Sequence, residues 1–199
     1  MPEPIILASS SEIRSQMLSS AGVIHDCKPA RIDEDSIKAA LLAEGATSRD
    51  IADTLAEMKA RKIGHSAPDA LVLGCDQVLA HKSEILSKPV SLSEAADQLR
   101  RLRGETHQLL SALVIYHDGE PIWRHVGVAR LTMPDFSDAF LDDSLDRHWD
   151  RLHWSVGGYT NDEEDLRLLF DIGVERITIM GVPLLPLLSY LTLRGTLPS

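Results

Sequence analysis

Apolar and polar positions change period several times along the chain, and each change predicts an element. Ile5 to Ala8 is a short apolar run, the mark of a buried strand, and three serines follow at a predicted turn. From Glu12 onward, Ile13, Met17, Leu18 and Ala21 recur at helical spacing, with Gly22 placed to end the helix. Val23 to Pro29 reads as extended chain, Asp33-Glu34-Asp35 as an acidic turn, and Ile37 to Ala43 as a short helix. Thr47 and Asp50 have capping-box spacing ahead of a longer helix that gathers Ile51, Leu55, Met58 and Ile63 on one side.

Ala70 to Cys75 is apolar throughout, as in a strand buried on both faces, and Asp76 follows directly. Ser93 is placed to cap a helix running to Leu102, closed by Gly104. Leu109 to Tyr116 and Ile122 to Leu131 flank His117-Asp118-Gly119-Glu120, a hairpin signal. Ser137 opens a helix containing Phe140, Leu145 and Trp149; a strand near Ile177 to Met180 and a helix from Pro183 to about Leu193 complete the series. Alternating strands and helices followed by a long hairpin predict an α/β fold with a mixed, twisted sheet.

Composition narrows the class. The 199 residues are 44% hydrophobic and 25% charged, enough for a real core without staples. Cys27 and Cys75 form neither a disulfide framework nor a metal-knuckle spacing, as expected in a reducing compartment. The start of the chain has no basic region ahead of its short apolar run, and the stretch from Val182 to Leu193 is interrupted by Pro183 and Pro186. The expected setting is therefore the cytoplasm, with no membrane partner. A net charge of −10 argues against a nucleic-acid polymer as partner, although a small anion needs only a few well-placed cations.

Four features carry candidate chemistry. Ser9, Ser10, Ser11 and Arg14 sit where a buried strand runs into a helix start, and free N–H groups, hydroxyls and one cation there would cradle phosphate. The alternative is a serine cap with a surface arginine. Asp76 falls at a strand end, where open α/β sheets collect ligand and catalytic groups, but it could equally form a turn. Lys59 and Lys88 are either phosphate-neutralising cations or solvated surface charges. The acidic turn at Asp33 to Asp35 offers hard oxygen ligands for Mg²⁺, or only a turn. Cleaving a phosphoanhydride needs an activated water, a metal and cations for the developing charge, and these residues supply the parts.

In their order along the chain the motifs resemble the Maf family of nucleotide pyrophosphatases. The family's opening strand and serine turn are matched by Ile6-Leu7-Ala8-Ser9-Ser10-Ser11 with Arg14. Its acidic turn is matched by Ile32-Asp33-Glu34, its helical motif by Leu55-Ala56-Glu57-Met58-Lys59-Ala60, and its Gly-x-Asp by Gly74-Cys75-Asp76. Lys88-Pro89, Leu102-Arg103-Gly104-Glu105-Thr106-His107 and Gly181-Val182-Pro183 complete the set. The resemblance implies one domain over residues 1–199, with an elongated mixed sheet like that of inosine triphosphate pyrophosphatases and two lobes around a cleft. It further implies hydrolysis of a nucleoside triphosphate to the monophosphate and pyrophosphate, Mg²⁺ or Mn²⁺ as cofactor, and a homodimer.

By the same resemblance Asp76 activates water, and Glu34 and Asp76 hold the metal. Ser9, Ser11 and Arg14 cradle phosphates, while Lys59 and Lys88 neutralise charge. Three positions bear on specificity: Ile13 where many members have a second arginine, Gln77 as in the 7-methyl-GTP branch, and Asp162 where that branch has glutamate. A carboxylate there suits a purine, 7-methyl-GTP among them. The run Asp162-Glu163-Glu164-Asp165 replaces glycines of the family pattern, and four carboxylates repel an anion. A second reading is therefore a nucleotide-binding regulatory protein with weakened turnover. Trp123, Trp149 and Trp154 are expected to pack apolar surface, His107 to give structural support, and Cys75 to act as a small buried hydrophobe.

Overall fold

The computed structural model of the chain describes residues 3–159 and 179–197. In chain order, β1 (Ile5–Leu7), α1 (Glu12–Ser20), β2 (Asp26–Cys27), α2 (Glu34–Ala43) and α3 (Ser48–Gly64) come first. Then follow β3 (Leu71–His81), β4 (Glu84–Leu86), α4 (Leu92–Leu102) and the pair β5 (Thr106–His117) and β6 (Glu120–Thr132). The helices α5 (Asp138–Leu152) and α6 (Leu184–Arg194) complete the described strands and α-helices, with a 3-10 turn at Val156–Gly158 after α5. The fold is mixed α/β: six strands form one sheet in the order β2-β1-β3-β5-β6, with β4 paired to β3. β1 runs parallel to both β2 and β3, whereas β4 is antiparallel to β3. Asp118 and Gly119, with φ of 50° and 79°, make the tight β5–β6 turn, as Asp-Gly favours. No described helix is long and apolar enough to cross a membrane.

Two compact units emerge. The first comprises Met1–Gln77, Leu110–Gly127 and Met180–Ser199, with Leu7, Leu18, Ile51, Leu55 and Leu73 deep in its interior. The second comprises Val78–Leu109 and Val128–Ile179, and its core packs Leu79, Leu99, Leu102, Leu131 and Leu141.

Several boundaries differ from the sequence expectation. β3 does not stop at Cys75; it continues through Asp76 and Gln77 to His81, so Asp76 lies inside a strand. Two polar residues hide that continuation, which gains its partner from β4 through the pairs Leu79↔Leu86, Ala80↔Ile85 and His81↔Glu84. β2 is only two residues long because three-residue β1 offers it just Ile6 and Leu7. The acidic turn is the start of α2: Asp33 caps it by accepting from the Ser36 N–H at 3.1 Å, and Glu34 and Asp35 occupy the first turn, where carboxylates suit the helix dipole. Ser91, not Ser93, caps α4, accepting from the Glu94 N–H at 3.2 Å. Thr47 and Asp50 do form the capping box of α3. Of the strand expected near Ile177 to Met180, residues 177 and 178 lie outside the described residues, and Ile179 and Met180 are not in a strand. Trp154 is 69% exposed and does not pack as expected, whereas Trp123 stacks on Tyr190 and Trp149 packs against the second core.

Candidate active site

The register of the first unit creates the site. β1 pairs with β3 as far as Leu7↔Leu73, and the Ala8 N–H donates to the Leu73 carbonyl at 2.8 Å. The chain then turns at Ser9 into α1, so the next residues of β3 lose their β1 neighbour and meet the helix start instead. Ser9 is buried, and its Oγ accepts from the Ser11 N–H at 3.2 Å. Ser11 caps α1 by accepting from the Arg14 N–H at 3.4 Å.

Arg14 fastens this corner. Its Nε donates to the Gly181 carbonyl at 3.1 Å, and its Nη1 donates to Ser9 Oγ at 3.3 Å and to the Cys75 carbonyl at 3.2 Å. Nη2 makes no hydrogen bond to a described residue, so the guanidinium is held by one side with its other end available to an anion. Gly181 has φ +90°, and a Cβ there would lie 3.2 Å from Arg14 Nε; the turn that receives the guanidinium needs glycine for both reasons.

A second close approach sets the acid and the amine. A Cβ at Gly74 would lie 2.1 Å from the Ala56 carbonyl oxygen and 2.6 Å from the Ala60 N. Helix α3 therefore lies directly against β3 at a point where only glycine fits. One step along, Lys59 Nζ reaches Asp76 Oδ1 at 2.6 Å and Glu34 Oε1 at 2.8 Å. Lys59 is 7% and Asp76 5% exposed, while the Glu34 side chain is 43% exposed. Burial pushes the Asp76 carboxyl up from the ordinary aspartate value; the Lys59 and Arg14 charges oppose the rise and Glu34 adds to it. A carboxyl shifted upward in this way holds a proton more readily than an ordinary aspartate.

The structure thus brings together Ser9, Ser11 and Arg14 at one corner, and Glu34, Lys59 and Asp76 at another, joined through the adjacent Cys75 and Asp76 of β3. Gln77, next on β3, is half-buried, and its Nε2 donates to Ser111 Oγ on β5 at 2.9 Å. Ile13 is 47% exposed on α1. Lys88 is exposed on the chain after β4 and belongs to the second unit. Asp162 and the acidic run to Asp165 lie outside the described residues.

Sequence reasoning missed that one ammonium bridges both carboxylates, and that the Gly181 and Cys75 carbonyls receive Arg14. No spacing signals such long-range contacts. His107 is buried in the second unit and hydrogen-bonded to the Tyr159 hydroxyl at 2.5 Å. Burial depresses its imidazole to about 4, with the charge of nearby His81 a smaller cause. Burial likewise pushes the Cys75 thiol up to about 11, which suits a packed hydrophobe and not a nucleophile.

Glu34 and Asp76 already aim oxygens at one cationic centre, the Lys59 ammonium, and hard oxygen donors converging in this way fit Mg²⁺ or Mn²⁺. Among the described residues, no group of three His, Cys, Asp or Glu side chains gathers. Any such ion would therefore keep waters or substrate oxygens as its other ligands, as Mg²⁺ commonly does.

Fold and site together define an α/β protein with a cation-lined strand corner beside a serine-capped helix start. The chain belongs to the family described as Maf-like protein, whose pattern matches residues 4–193. A curated relative from Roseobacter denitrificans, 59% identical over 100% of both chains, is named nucleoside triphosphate pyrophosphatase. One from Brucella abortus, 41% identical over 96% of each chain, is named 7-methyl-GTP pyrophosphatase. A solved dITP/XTP pyrophosphatase structure from Mycobacterium abscessus covers 98% of both chains at 16% identity, but its TM-score of 0.42 is too low to argue from.

Proposed function

We propose that the protein is a nucleoside triphosphate pyrophosphatase, releasing a nucleoside monophosphate and pyrophosphate. The observation that carries this reading is the buried Lys59–Asp76 pair at 2.6 Å beside the Arg14-braced serine turn. The names of the similar proteins from Roseobacter and Brucella support it. Residues 1–199 then act as one catalytic domain. Its working compartment is the cytoplasm, where nucleotide pools reside, and a homodimer is the expected assembly.

In the proposed reaction a water oxygen forms a bond to the α-phosphorus, its proton passes to Asp76, and the bond from that phosphorus to the oxygen bridging to the β-phosphate breaks. Arg14, through its Nη2 end, and the Ser9–Ser11 turn would bind phosphate oxygens, and Lys59 and Lys88 would offset the charge that grows on the leaving pyrophosphate. Glu34 and Asp76 would hold Mg²⁺ or Mn²⁺, which when bound supplies Lewis-acid neutralisation of the phosphate oxygens. Ile13, Gln77 and Asp162 are proposed to select the base, with purines favoured and 7-methyl-GTP the first candidate.

The purified protein, given 7-methyl-GTP, GTP, dTTP, UTP or CTP with Mg²⁺ or Mn²⁺, should release pyrophosphate from at least one of them. Tight nucleotide binding by calorimetry without any release would favour the regulatory reading instead. Asp76→Asn should lower kcat by roughly 10²- to 10⁴-fold, the usual worth of a general base. Wild-type turnover in that variant would remove Asp76 from the mechanism.

A further inference from the structure

The bridging ammonium has a consequence of its own. We propose that Lys59 is a displaceable counter-cation, holding the position between Glu34 and Asp76 until a divalent cation takes it over and then carrying its charge to the ligand phosphates. This inference rests on the metal-dependent reading above and adds what the lysine does before and after the cation arrives.

Three observations lead to it. First, Lys59 Nζ lies at hydrogen-bonding distance from one oxygen of each carboxylate, 2.6 Å to Asp76 and 2.8 Å to Glu34. Only a small approach of the two groups would bring them to the ~2.1 Å that Mg²⁺ adopts with oxygen. The ammonium and the ion therefore need the same ligand atoms. Second, charge allows one of them at a time. Two carboxylates and one ammonium sum to a single negative charge, and two carboxylates and a divalent ion to none. With both cations among the carboxylates, a positive charge would be left in a pocket where Lys59 and Asp76 are nearly sealed from water. Third, the lysine can leave. Its ammonium is a compact charge on a flexible four-carbon stem, unlike the planar fork of an arginine. Glu34, the more exposed carboxylate, opens one side of the pocket to solvent. Arg14 cannot play this part, because Gly181, Ser9 and Cys75 fix its guanidinium.

The lysine thus offsets one of the two carboxylate charges, on buried Asp76 and half-exposed Glu34, until a divalent cation binds, and the tightness of cation binding includes the work of moving it. Removing the amine should tighten the cation site even as it damages turnover.

The test measures Mn²⁺ binding by electron paramagnetic resonance at pH 8, without nucleotide, on wild type, Lys59→Met and Lys59→Arg. Lys59→Met is expected to bind Mn²⁺ at least tenfold more tightly than wild type, and Lys59→Arg no more tightly. Equal or weaker binding by Lys59→Met overturns the inference while leaving the pyrophosphatase reading intact. Absence of Mn²⁺ binding in every protein overturns the metal-dependent reading and the inference together. A second measurement needs no variant. Amine-reactive footprinting of the wild type, read by mass spectrometry, should show Lys59 protected without Mg²⁺ and labelled when Mg²⁺ saturates the site. Labelling of Lys59 that ignores Mg²⁺ at saturation refutes the displacement even if Lys59→Met fails to fold.

Discussion

Gly74→Ala tests the contact on which the acid–amine pair depends. The added methyl would sit 2.1 Å from the Ala56 carbonyl oxygen, 2.6 Å from the Ala60 N and 2.7 Å from the Ala60 Cβ. Ordinary contact for such atoms begins near 3.4 Å, so α3 and β3 must separate by about 1 Å. No side-chain rotation can absorb this, because two of the three obstacles are helix backbone. Overpacking usually costs about 1–3 kcal/mol, and a clash against backbone in a full core belongs at or above the upper end. The same separation would lengthen the 2.6 Å Lys59–Asp76 contact, since Lys59 adjoins Ala60 and Asp76 lies two residues beyond Gly74. We therefore expect a loss of about 3 kcal/mol or more in urea unfolding, together with a fall in pyrophosphate release by the fraction that stays folded. Gly64→Ala on the same helix is the control. Its nearest neighbour would be Tyr116 Cβ at 3.4 Å, so it should cost less than about 1 kcal/mol. If Gly74→Ala unfolds within about 0.5 kcal/mol of wild type, the close approach does not exist and the site geometry built on it fails.

Two further predictions address other parts of the chain. His107 is neutral and buried, with Nδ1 lacking a hydrogen-bond partner among the described residues, and its folded value of about 4 lies below the ordinary 6.5. A depressed folded value means that the unfolded chain takes the proton first. The stabilising contribution is whole above about pH 6.5 and is lost as pH falls toward 4, by roughly 3 kcal/mol in all. Unfolding followed from pH 7.5 to 4.5 should show this decline in wild type and a shallower one in His107→Gln; parallel curves would contradict it. Gly181→Ala introduces a side chain at φ +90° and crowds Arg14. It should cost about 1–3 kcal/mol and raise KM for the triphosphate more than it lowers kcat. An unchanged KM would release Arg14 from phosphate binding.

Much of the fold could be read from local pattern, because each signal involved had a local cause. The capping box at Thr47 and Asp50, the Asp118-Gly119 hairpin and the Ser137 cap all form where their spacing placed them. The errors came where a neighbour outside the window decided the outcome. β3 ran on past Cys75 because β4 supplied a partner, and β2 shrank because β1 had so little to offer it. At the site, the serines, arginine, lysine and aspartate could each be named but not joined. The Lys59–Glu34 contact spans two helices, and the receipt of Arg14 by Gly181 spans 167 positions. Family likeness, more than local spacing, put these residues on one list.

The two motifs that looked independent are opposite faces of one contact. In a strand, residues i and i+2 share a face, so Gly74 and Asp76 point the same way. In a helix, i and i+4 share a face, so Ala56 and Ala60 line one side with Lys59 at its margin. Setting the glycine against the two alanines draws helix and strand together, and it carries the lysine onto the aspartate. The small residues are needed for the charged ones to meet, and the charged ones could not otherwise stay buried. An ammonium sealed from water requires acceptors, and here both are carboxylates. The spacing Gly-x-Asp on β3 and Ala-x-x-Lys-Ala on α3 is therefore a packing rule and a chemical rule at once. A substitution that enlarged any of the three small residues would act on the chemistry through distance alone.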